Sequence, residues 1–225
     1  MITEIATFEL TSPDDLSDPS STTRSTICAF LTAVLTTDSG ARAAYFGQSA
    51  ENPDTVILFI DWDSTDAHHR FLASPTHDDL ASPVLAIMNR TSPPQIIHLP
   101  PIPHALVGEQ ADINVTEVLF YYFPSSLTDE DIAAIDAEMD VLRPSLESSE
   151  PKGVFEGWAE EGDVVFQGLR GEERCKVWVH VVGWEDMAAH GRMVGEEEFE
   201  DSREMVMGMH DLKGMVMLHT ALVEV

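Results

Sequence analysis

Residues 59–68 read Phe59-Ile-Asp-Trp62-Asp-Ser-Thr-Asp-Ala67-His68, and residues 181–190 read Val181-Val-Gly-Trp184-Glu-Asp-Met-Ala-Ala189-His190. Each copy has the pattern of an apolar strand that ends in Trp and runs into a helix carrying an Ala-His pair. An arginine follows at the same distance in both copies, so they share the spacing Trp-x4-Ala-His-x-Arg. This agreement predicts an internal duplication.

Two further matches occur in the same order along the chain. The strand-like segment Thr3–Phe8 (TEIATF) corresponds to Thr116–Tyr121 (TEVLFY), and Ile97-His98 corresponds to Leu218-His219. Thr3–Phe8 and Thr116–Tyr121 are both rich in β-branched or aromatic residues, which favours strands. Three matches with slowly drifting offsets indicate a duplication with small loop insertions.

The segments between these matches have the expected secondary-structure patterns. A helix is predicted over Thr26–Val34, and Thr128-Asp-Glu-Asp131 resembles a capping box. Apolar residues spaced by three and four follow that box, and a proline stands near the end of the predicted helix: Ile132, Ile135, Met139, Leu142 and Pro144. Central strands are predicted over Val56–Trp62 and Val177–Trp184, and helical segments over 65–89 and 186–211.

Each half therefore predicts strand, helix, two strands, helix and strand, which is a ferredoxin-like βαββαβ unit of the α+β class. We assign residues 1–99 to the first unit, 100–113 to a proline-rich and then polar linker, and 114–225 to the second. The predicted central strand 56–62 is apolar on both faces, so both faces must be buried. We expect the two antiparallel sheets to pack face to face in one intramolecular α+β barrel.

The charge and composition of the chain limit the kinds of molecule that it is expected to bind. The 225 residues include 12 Lys+Arg and 40 Asp+Glu, for a formal net charge of −28. Such a surface repels polyanions, so no nucleic acid or anionic membrane partner is expected. Acidic helix faces also favour a monomer or a weak homodimer. The N-terminal segment lacks a basic n-region and a long apolar run, so we expect a cytoplasmic protein.

The two cysteines do not define a site. Cys28 and Cys175 are far apart in sequence, which favours neither a disulfide framework nor a zinc site. Cys28 lies in an apolar helical run and is predicted to be a core residue. Cys175 follows Glu172, Glu173 and Arg174 at the start of a predicted strand. Because nearby carboxylates raise a thiol pKa, we do not expect a nucleophile there.

The duplicated Trp-x4-Ala-His segments resemble the dimeric α+β barrel proteins, and among them the antibiotic biosynthesis monooxygenase-like (ABM) group. The resemblance extends once per half over nearly the whole chain, as in the tandem-fused forms found in fungal specialised metabolism. It implies an apolar pocket between a sheet and its helices. The group includes cofactor-free quinone-forming oxygenases, haem-degrading enzymes, muconolactone-type isomerases and polyketide cyclases, so fold alone does not select a reaction.

Asymmetry between the halves identifies the first candidate catalytic residue. Aligned on the Trp anchors, Trp178 and His180 stand where the first half has Val56 and Leu58. A histidine among apolar neighbours is either a hydrogen-bonded core residue or an acid/base whose pKa is tuned by desolvation. We name His180 the leading catalytic candidate, with Tyr121 as a possible phenolic acid or oxyanion donor.

A second group contains His68, His69, Arg70 and His77. His68 and Arg70 have counterparts in the second half, which suggests structural roles, whereas His69 and His77 do not and are kept as catalytic candidates. Asp78 and Asp79 nearby suggest a metal, but carboxylates are abundant throughout the chain and we predict no metal site. Haem is not predicted either, because the haem-degrading arrangement of the family does not map onto these histidines.

Aromatic and sulfur-containing side chains complete the predicted pocket. The candidate substrate-binding residues are Trp62, Trp158, Trp178, Trp184, Tyr122 and Met217. His98 and His219 match each other, which favours structure over catalysis. No phosphate-binding glycine loop, GxSxG elbow or HExxH motif is present, so no cofactor is predicted.

The sequence thus favours a cofactor-independent enzyme of specialised metabolism. It would bind a small apolar intermediate, of polyketide or terpenoid type, and promote cyclisation or isomerisation with help from a histidine. Two alternatives stay open: a cofactor-free monooxygenase acting on a phenolic or anthrone-like substrate, and a non-catalytic protein that binds a hydrophobic metabolite.

Overall fold

The computed structural model describes residues 1–107, 113–148, 150–168, 171–194, 204–209 and 211–225. The chain forms two compact units. One comprises Met1–Glu109 together with Leu218–Val225, and the other comprises Gln110–Met217. The C-terminal segment is therefore part of the first unit.

The helices and strands follow the predicted order in both halves. Up to the linker they are β1 (Ile2–Glu9), α1 (Thr22–Thr36), β2 (Ala41–Gln48), β3 (Thr55–Trp62), α2 (Thr65–Leu72), α3 (Pro75–Ile87), β4 (Gln95–Leu99) and α4 (His104–Val107). The remaining elements are β5 (Val115–Pro124), α5 (Asp129–Ser148), β6 (Gly153–Trp158), β7 (Val164–Gly168), β8 (Gly171–Trp184), α6 (Met187–Val194), β9 (Gly214–Thr220) and β10 (Val223–Glu224).

The two sheets repeat one strand order. The first is β10-β2-β3-β1-β4 and the second is β6-β8-β5-β9, with β7 pairing β8 as an addition. The register is also repeated: Trp62 lies opposite Ile2 between β3 and β1, and Trp184 lies opposite Val115 between β8 and β5. These matches confirm the predicted α+β class and are consistent with the duplication.

Side-chain caps define the starts of the helices. Ser64 Oγ accepts a hydrogen bond from the Ala67 amide at the start of α2. At α5, Thr128 Oγ1 accepts from the Asp131 amide at 3.2 Å while Asp131 Oδ2 accepts from the Thr128 amide at 2.8 Å. This reciprocal pair is the predicted capping box, with Asp in place of the usual Glu or Gln. It fixes the start of the helix that later covers His180.

The central strand of each unit is buried on both faces, as its apolar pattern predicts. In β3, Val56, Leu58, Ile60 and Trp62 belong to a core cluster with residues of α1 and α3, including Ile27, Leu31, Val34 and Val84. The alternate residues Ile57 and Phe59 are also fully buried. In β8, Val177, Val179 and Val181 are buried in the same alternating way.

Several element boundaries differ from those predicted. The helical segment 65–89 is two helices, because Ser74 caps a new helix that has Pro75 in its first turn. The Pro-rich linker contains the short helix α4, whose Leu106 and Val107 are buried. Strand β8 begins before Cys175, so this buried thiol lies inside the strand. Burial, followed by the charge of Glu173, raises its pKa.

Parts of two predictions lie outside the described residues. They are 108–112 of the linker and, within the helical segment 186–211, residues 195–203 and 210. Among the helices that the structure describes, none is both long and apolar enough to cross a membrane.

Gly47 in β2 allows the C-terminal segment to lie against the sheet. A Cβ added at Gly47 would overlap the Thr220 hydroxyl and come within 2.8 Å of the Ala221 carbonyl oxygen. We therefore expect Gly47→Ala to lower the free energy of unfolding by about 1–3 kcal/mol, because backbone must shift to relieve the overlap. Urea denaturation measures this change. The control is Gly162→Ala, where nothing lies within 4 Å; equal stability of the two variants would contradict the packing described.

Candidate functional site

His180 lies on the face of β8 that is covered by α5. In the sheet it stands opposite Leu119 on β5 and opposite Glu156 on β6. Its side chain is only 14% exposed, and its ring contacts the Trp178 ring edge-on, with centroids 5.5 Å apart. The structure therefore places this imidazole in a largely apolar space between sheet and helix.

The charge state of His180 follows from this burial. Its Nε2 is buried and has no hydrogen-bond partner among the described residues. The nearest described carboxylate oxygen in an ion-pair geometry is Glu156 Oε2, at 4.0 Å. Burial, aided by the positive charge of Arg143, lowers the pKa of His180 to about 4. At neutral pH the ring is uncharged, so one of its nitrogens offers a lone pair.

Glu156 is held in place by α5. Arg143 pairs with the Glu156 carboxylate, and also with Asp140 one turn earlier at 2.7 Å. The Glu156 carboxylate thus stands between a guanidinium group and the imidazole of His180. A proton arriving on His180 would be partly compensated by this carboxylate, because opposite charges at about 4 Å attract even where water is partly excluded.

Aromatic residues pack beside His180. Tyr121 and Trp178 are in edge contact at 5.4 Å, and both belong to the cluster that includes Phe123 and Met139. Trp158 packs against this cluster and donates from Nε1 to Asp136 at 2.8 Å. Burial, and secondarily the charge of Glu117, raises the pKa of Tyr121, so its phenol keeps its proton. Four predicted site residues therefore come together in one unit: His180, Tyr121, Trp178 and Trp158.

The first unit has no polar side chain at the matching positions. By strand register, Leu58 corresponds to His180, Val56 to Trp178 and Phe8 to Tyr121. All three are buried members of the first unit's core cluster. Aliphatic and aromatic side chains thus occupy these positions in the first unit, whereas the second unit has a histidine and a phenol there.

Trp62 and Trp184 share a different arrangement. Each donates its indole N–H to a buried glutamate at 2.6 Å, Trp62 to Glu4 and Trp184 to Glu117. Each also contacts the histidine of its own Trp-x4-Ala-His motif, at ring distances of 4.5 Å and 5.5 Å. A repeated, fully bonded arrangement is typical of structure. The prediction that these indoles line a substrate pocket stays a prediction.

The other candidates lie elsewhere in their units. Tyr122 points to the opposite face of β5 and stacks on Phe166 at 4.3 Å. Met217 on β9 is half-exposed. In the first unit, His69 is exposed on α2, and His77 contacts Phe71 and lies 3.4 Å from Asp78. Roles for His69 and His77 in catalysis stay predictions.

Glu156 and Arg143 were missed by the sequence analysis. Glu156 is one of many acidic residues, and only the register of β6 against β8 places it beside His180. Arg143 is one of the few basic residues in the chain, and its position on the helix following the capping box was the available signal.

The depressed pKa of His180 has a measurable consequence for stability. Between its unfolded value of 6.5 and about 4, the unfolded chain binds a proton that the folded chain excludes, so acidification favours unfolding. The full span corresponds to up to about 3 kcal/mol. We expect wild type to lose this much more free energy of unfolding than His180→Leu between pH 7 and pH 4, by urea denaturation. If the free energies of unfolding of the two proteins changed equally with pH, the pKa of His180 would be the same in the folded and unfolded chains.

The fold and this site define a tandem α+β protein with a buried histidine in one of its two ferredoxin-like units. Residues 21–82 match the model of the family described as antibiotic biosynthesis monooxygenase, so this part of the chain is similar to that family. The match covers the part of the first unit that contains α1, β2, β3 and α2. The predicted resemblance is thereby confirmed, while the fungal tandem-fused origin stays a prediction.

Solved structures share the fold over the whole chain. An anthrone oxidase-like protein aligns with a TM-score of 0.60 and 16% identity, covering 99% of this chain and 91% of that one. A proposed monooxygenase from Fusobacterium nucleatum aligns with a TM-score of 0.58 and 11% identity, covering 98% and 91%. A proposed monooxygenase from Lactobacillus acidophilus NCFM aligns with a TM-score of 0.52 and 14% identity, covering 99% and 94%. At these identities the likeness shows the fold alone. No curated protein matches the sequence.

Proposed function

We propose that the protein is a cofactor-independent enzyme that moves a proton on a small apolar substrate, and thereby promotes its isomerisation or cyclisation. The observation that supports it is the uncharged, buried imidazole of His180, without a hydrogen-bond partner for Nε2 among the described residues. Leaving a buried polar atom unpaired is unfavourable, and a catalytic role is one reason for such an atom to persist. A substrate proton would supply the missing partner.

In this proposal His180 accepts a proton from a carbon next to a carbonyl group. The neutral ring is available throughout the physiological pH range, because its pKa is about 4. The imidazolium formed in the step is stabilised by Glu156, and the partial burial of both side chains strengthens that attraction. Return of the proton to another atom of the substrate gives an isomer, and attack of the resulting enolate on a second carbonyl closes a ring.

The aromatic walls give the substrate its orientation. Tyr121, Trp158 and Trp178 present flat, rigid surfaces, which suit a planar unsaturated or aromatic intermediate. The Tyr121 phenol, which keeps its proton, would donate a hydrogen bond to the oxygen on which negative charge develops. Holding two reacting ends of one molecule close together lowers the entropic part of the cyclisation barrier.

A second candidate is a cofactor-free monooxygenase, which the family model and the described activities of the structural relatives favour. Its first step would be the same deprotonation at His180. The resulting anion would then react with dioxygen, so that one oxygen atom enters the substrate and the other leaves as water. Anthrone-like substrates suit this route, because their deprotonated form is electron-rich.

Deleting the gene in its source organism and comparing metabolites by high-resolution mass spectrometry tests the proposal without a guess about the substrate. We expect a compound to accumulate that is isomeric with the lost product, or that differs from it by water where ring closure is dehydrative. A lost product with one more oxygen atom would favour the monooxygenase. An unchanged set of compounds with altered yield would favour a non-catalytic binding protein instead.

A further inference from the structure

Three side chains of types that bind metals lie close together inside the first unit, in the part of the molecule that the Trp-x4-Ala-His motif builds. Glu4 comes from β1, His68 from α2 and His98 from β4. His68 Nδ1 lies 2.7 Å from His98 Nε2, and His68 Nε2 lies 3.4 Å from Glu4 Oε2. One ligand atom from each of the three residues can be chosen so that all lie within 4.8 Å of one another.

The cluster is buried. Glu4, His68 and His98 are 4%, 3% and 2% exposed, and they lie beside the apolar core that contains Trp62. A carboxylate in such surroundings requires a compensating positive charge, since an uncompensated buried charge is strongly unfavourable. A cation bound by these side chains would supply such a charge.

We propose that Glu4, His68 and His98 bind a divalent transition-metal ion, for which Zn²⁺ is the appropriate probe. Two imidazole nitrogens and a carboxylate oxygen are a ligand set that Zn²⁺ commonly takes. Ligands at ~2.1 Å in a tetrahedral arrangement lie ~3.4 Å apart. His68 turns Nδ1 toward His98 and Nε2 toward Glu4, and one ion takes only one of these nitrogens, so binding requires a shift of the His68 ring that brings the three ligand atoms from within 4.8 Å to this spacing.

The neighbouring groups orient the ligands. The Trp62 indole donates to Glu4 Oε2 at 2.6 Å, and the His68 ring is stacked on Trp62 with centroids 4.5 Å apart. Such outer contacts fix the orientation of ligating side chains and increase metal affinity. His69 brings another imidazole near, its ring 5.8 Å from that of His98, and either this ring or water completes the coordination.

The ion would have a structural role, because it ties a strand, a helix and an edge strand together in a region closed to substrate. The site is independent of His180, which lies in the other unit, so this inference does not rest on the proposed function. The second unit repeats the Glu–Trp–His arrangement with a longer separation, 3.8 Å between His190 Nε2 and Glu117 Oε1. The control for Glu4→Gln is Glu9→Gln, which changes a carboxylate on the same strand outside the cluster.

The test is zinc titration of the full chain after chelator treatment, by isothermal calorimetry in 0.15 M salt with competing Mg²⁺. We expect one site that is lost, or weakened at least ~100-fold, in Glu4→Gln and in His98→Gln, because a direct ligand is removed. Glu9→Gln should retain it. Absence of zinc binding by wild type, or unchanged affinity in both first-unit variants, would overturn the proposal.

X-ray absorption of the zinc-loaded wild-type protein keeps the proposal testable if a variant does not fold. We expect a first shell of nitrogen and oxygen that includes two imidazoles. Sulfur in that shell would place the ion at Cys28 or Cys175, and a shell of oxygen alone would place it on surface carboxylates. Either result would overturn the assignment.

Discussion

Replacing His180 by leucine is expected to lower kcat by about 10²–10⁴-fold, the usual contribution of a positioned general base. Leucine is the residue that the first unit has at the matching position, so it fits the apolar surroundings without adding an unpaired polar group. The purified protein would be assayed with the compound that accumulates in the gene-deletion strain. Substrate binding should be retained, because the walls formed by Tyr121, Trp158 and Trp178 are unchanged.

The control for this variant is His104→Ala, which removes a half-exposed histidine of the first unit. It should keep wild-type turnover. Circular dichroism and urea denaturation of His180→Leu would verify that the fold is intact, and we expect its stability at pH 7 to be at least that of wild type. Wild-type turnover by a folded His180→Leu protein would remove His180 from the mechanism.

Replacing Trp62 by alanine is expected to have the largest effect on stability, about 3–5 kcal/mol. Trp62 is fully buried at the end of β3 and packs against His68 and Phe71. Its loss leaves a cavity and also removes the N–H that bonds to the buried Glu4 carboxylate. Urea denaturation in the presence of a chelator measures the effect free of any contribution from a bound metal.

Trp158→Ala is the comparison for this variant. Trp158 is only half-buried at the end of β6, and its indole bonds to Asp136 on α5. Because less apolar area is removed from the core, its loss should cost about 1–2 kcal/mol. A Trp62→Ala protein as stable as Trp158→Ala would contradict the central role given to the buried Trp–Glu pair.

The fold was largely predictable because its determinants are local and repeated. The Trp-x4-Ala-His motif marks the end of the central strand in each half, and the capping box at Thr128 marks a helix start where the structure has one. The spacing of apolar residues between these points then distinguishes the strands from the helices. Helix α4 was missed because the surrounding Pro-rich composition is typical of a linker, and its stability comes from burial of Leu106 and Val107.

The sites were less predictable because they depend on pairing between distant strands. The contrast of His180 with Leu58 was visible in the aligned halves, but Glu156 is one acidic residue among 40 and only strand register selects it. Likewise, His68 was considered with His69 and His77, its sequence neighbours. The structure pairs it with His98 and Glu4, from the two strands β4 and β1 that lie side by side.

The most direct test of the central proposal is turnover by the purified protein, without added cofactor, under strict exclusion of dioxygen. The substrate is the compound that accumulates in the deletion strain, and mass spectrometry identifies the product. We expect conversion at an undiminished rate to an isomer, or to a product lacking water, with His180→Leu slower by about 10²–10⁴-fold in the same assay. Conversion that requires dioxygen and adds an oxygen atom would contradict it and establish the monooxygenase.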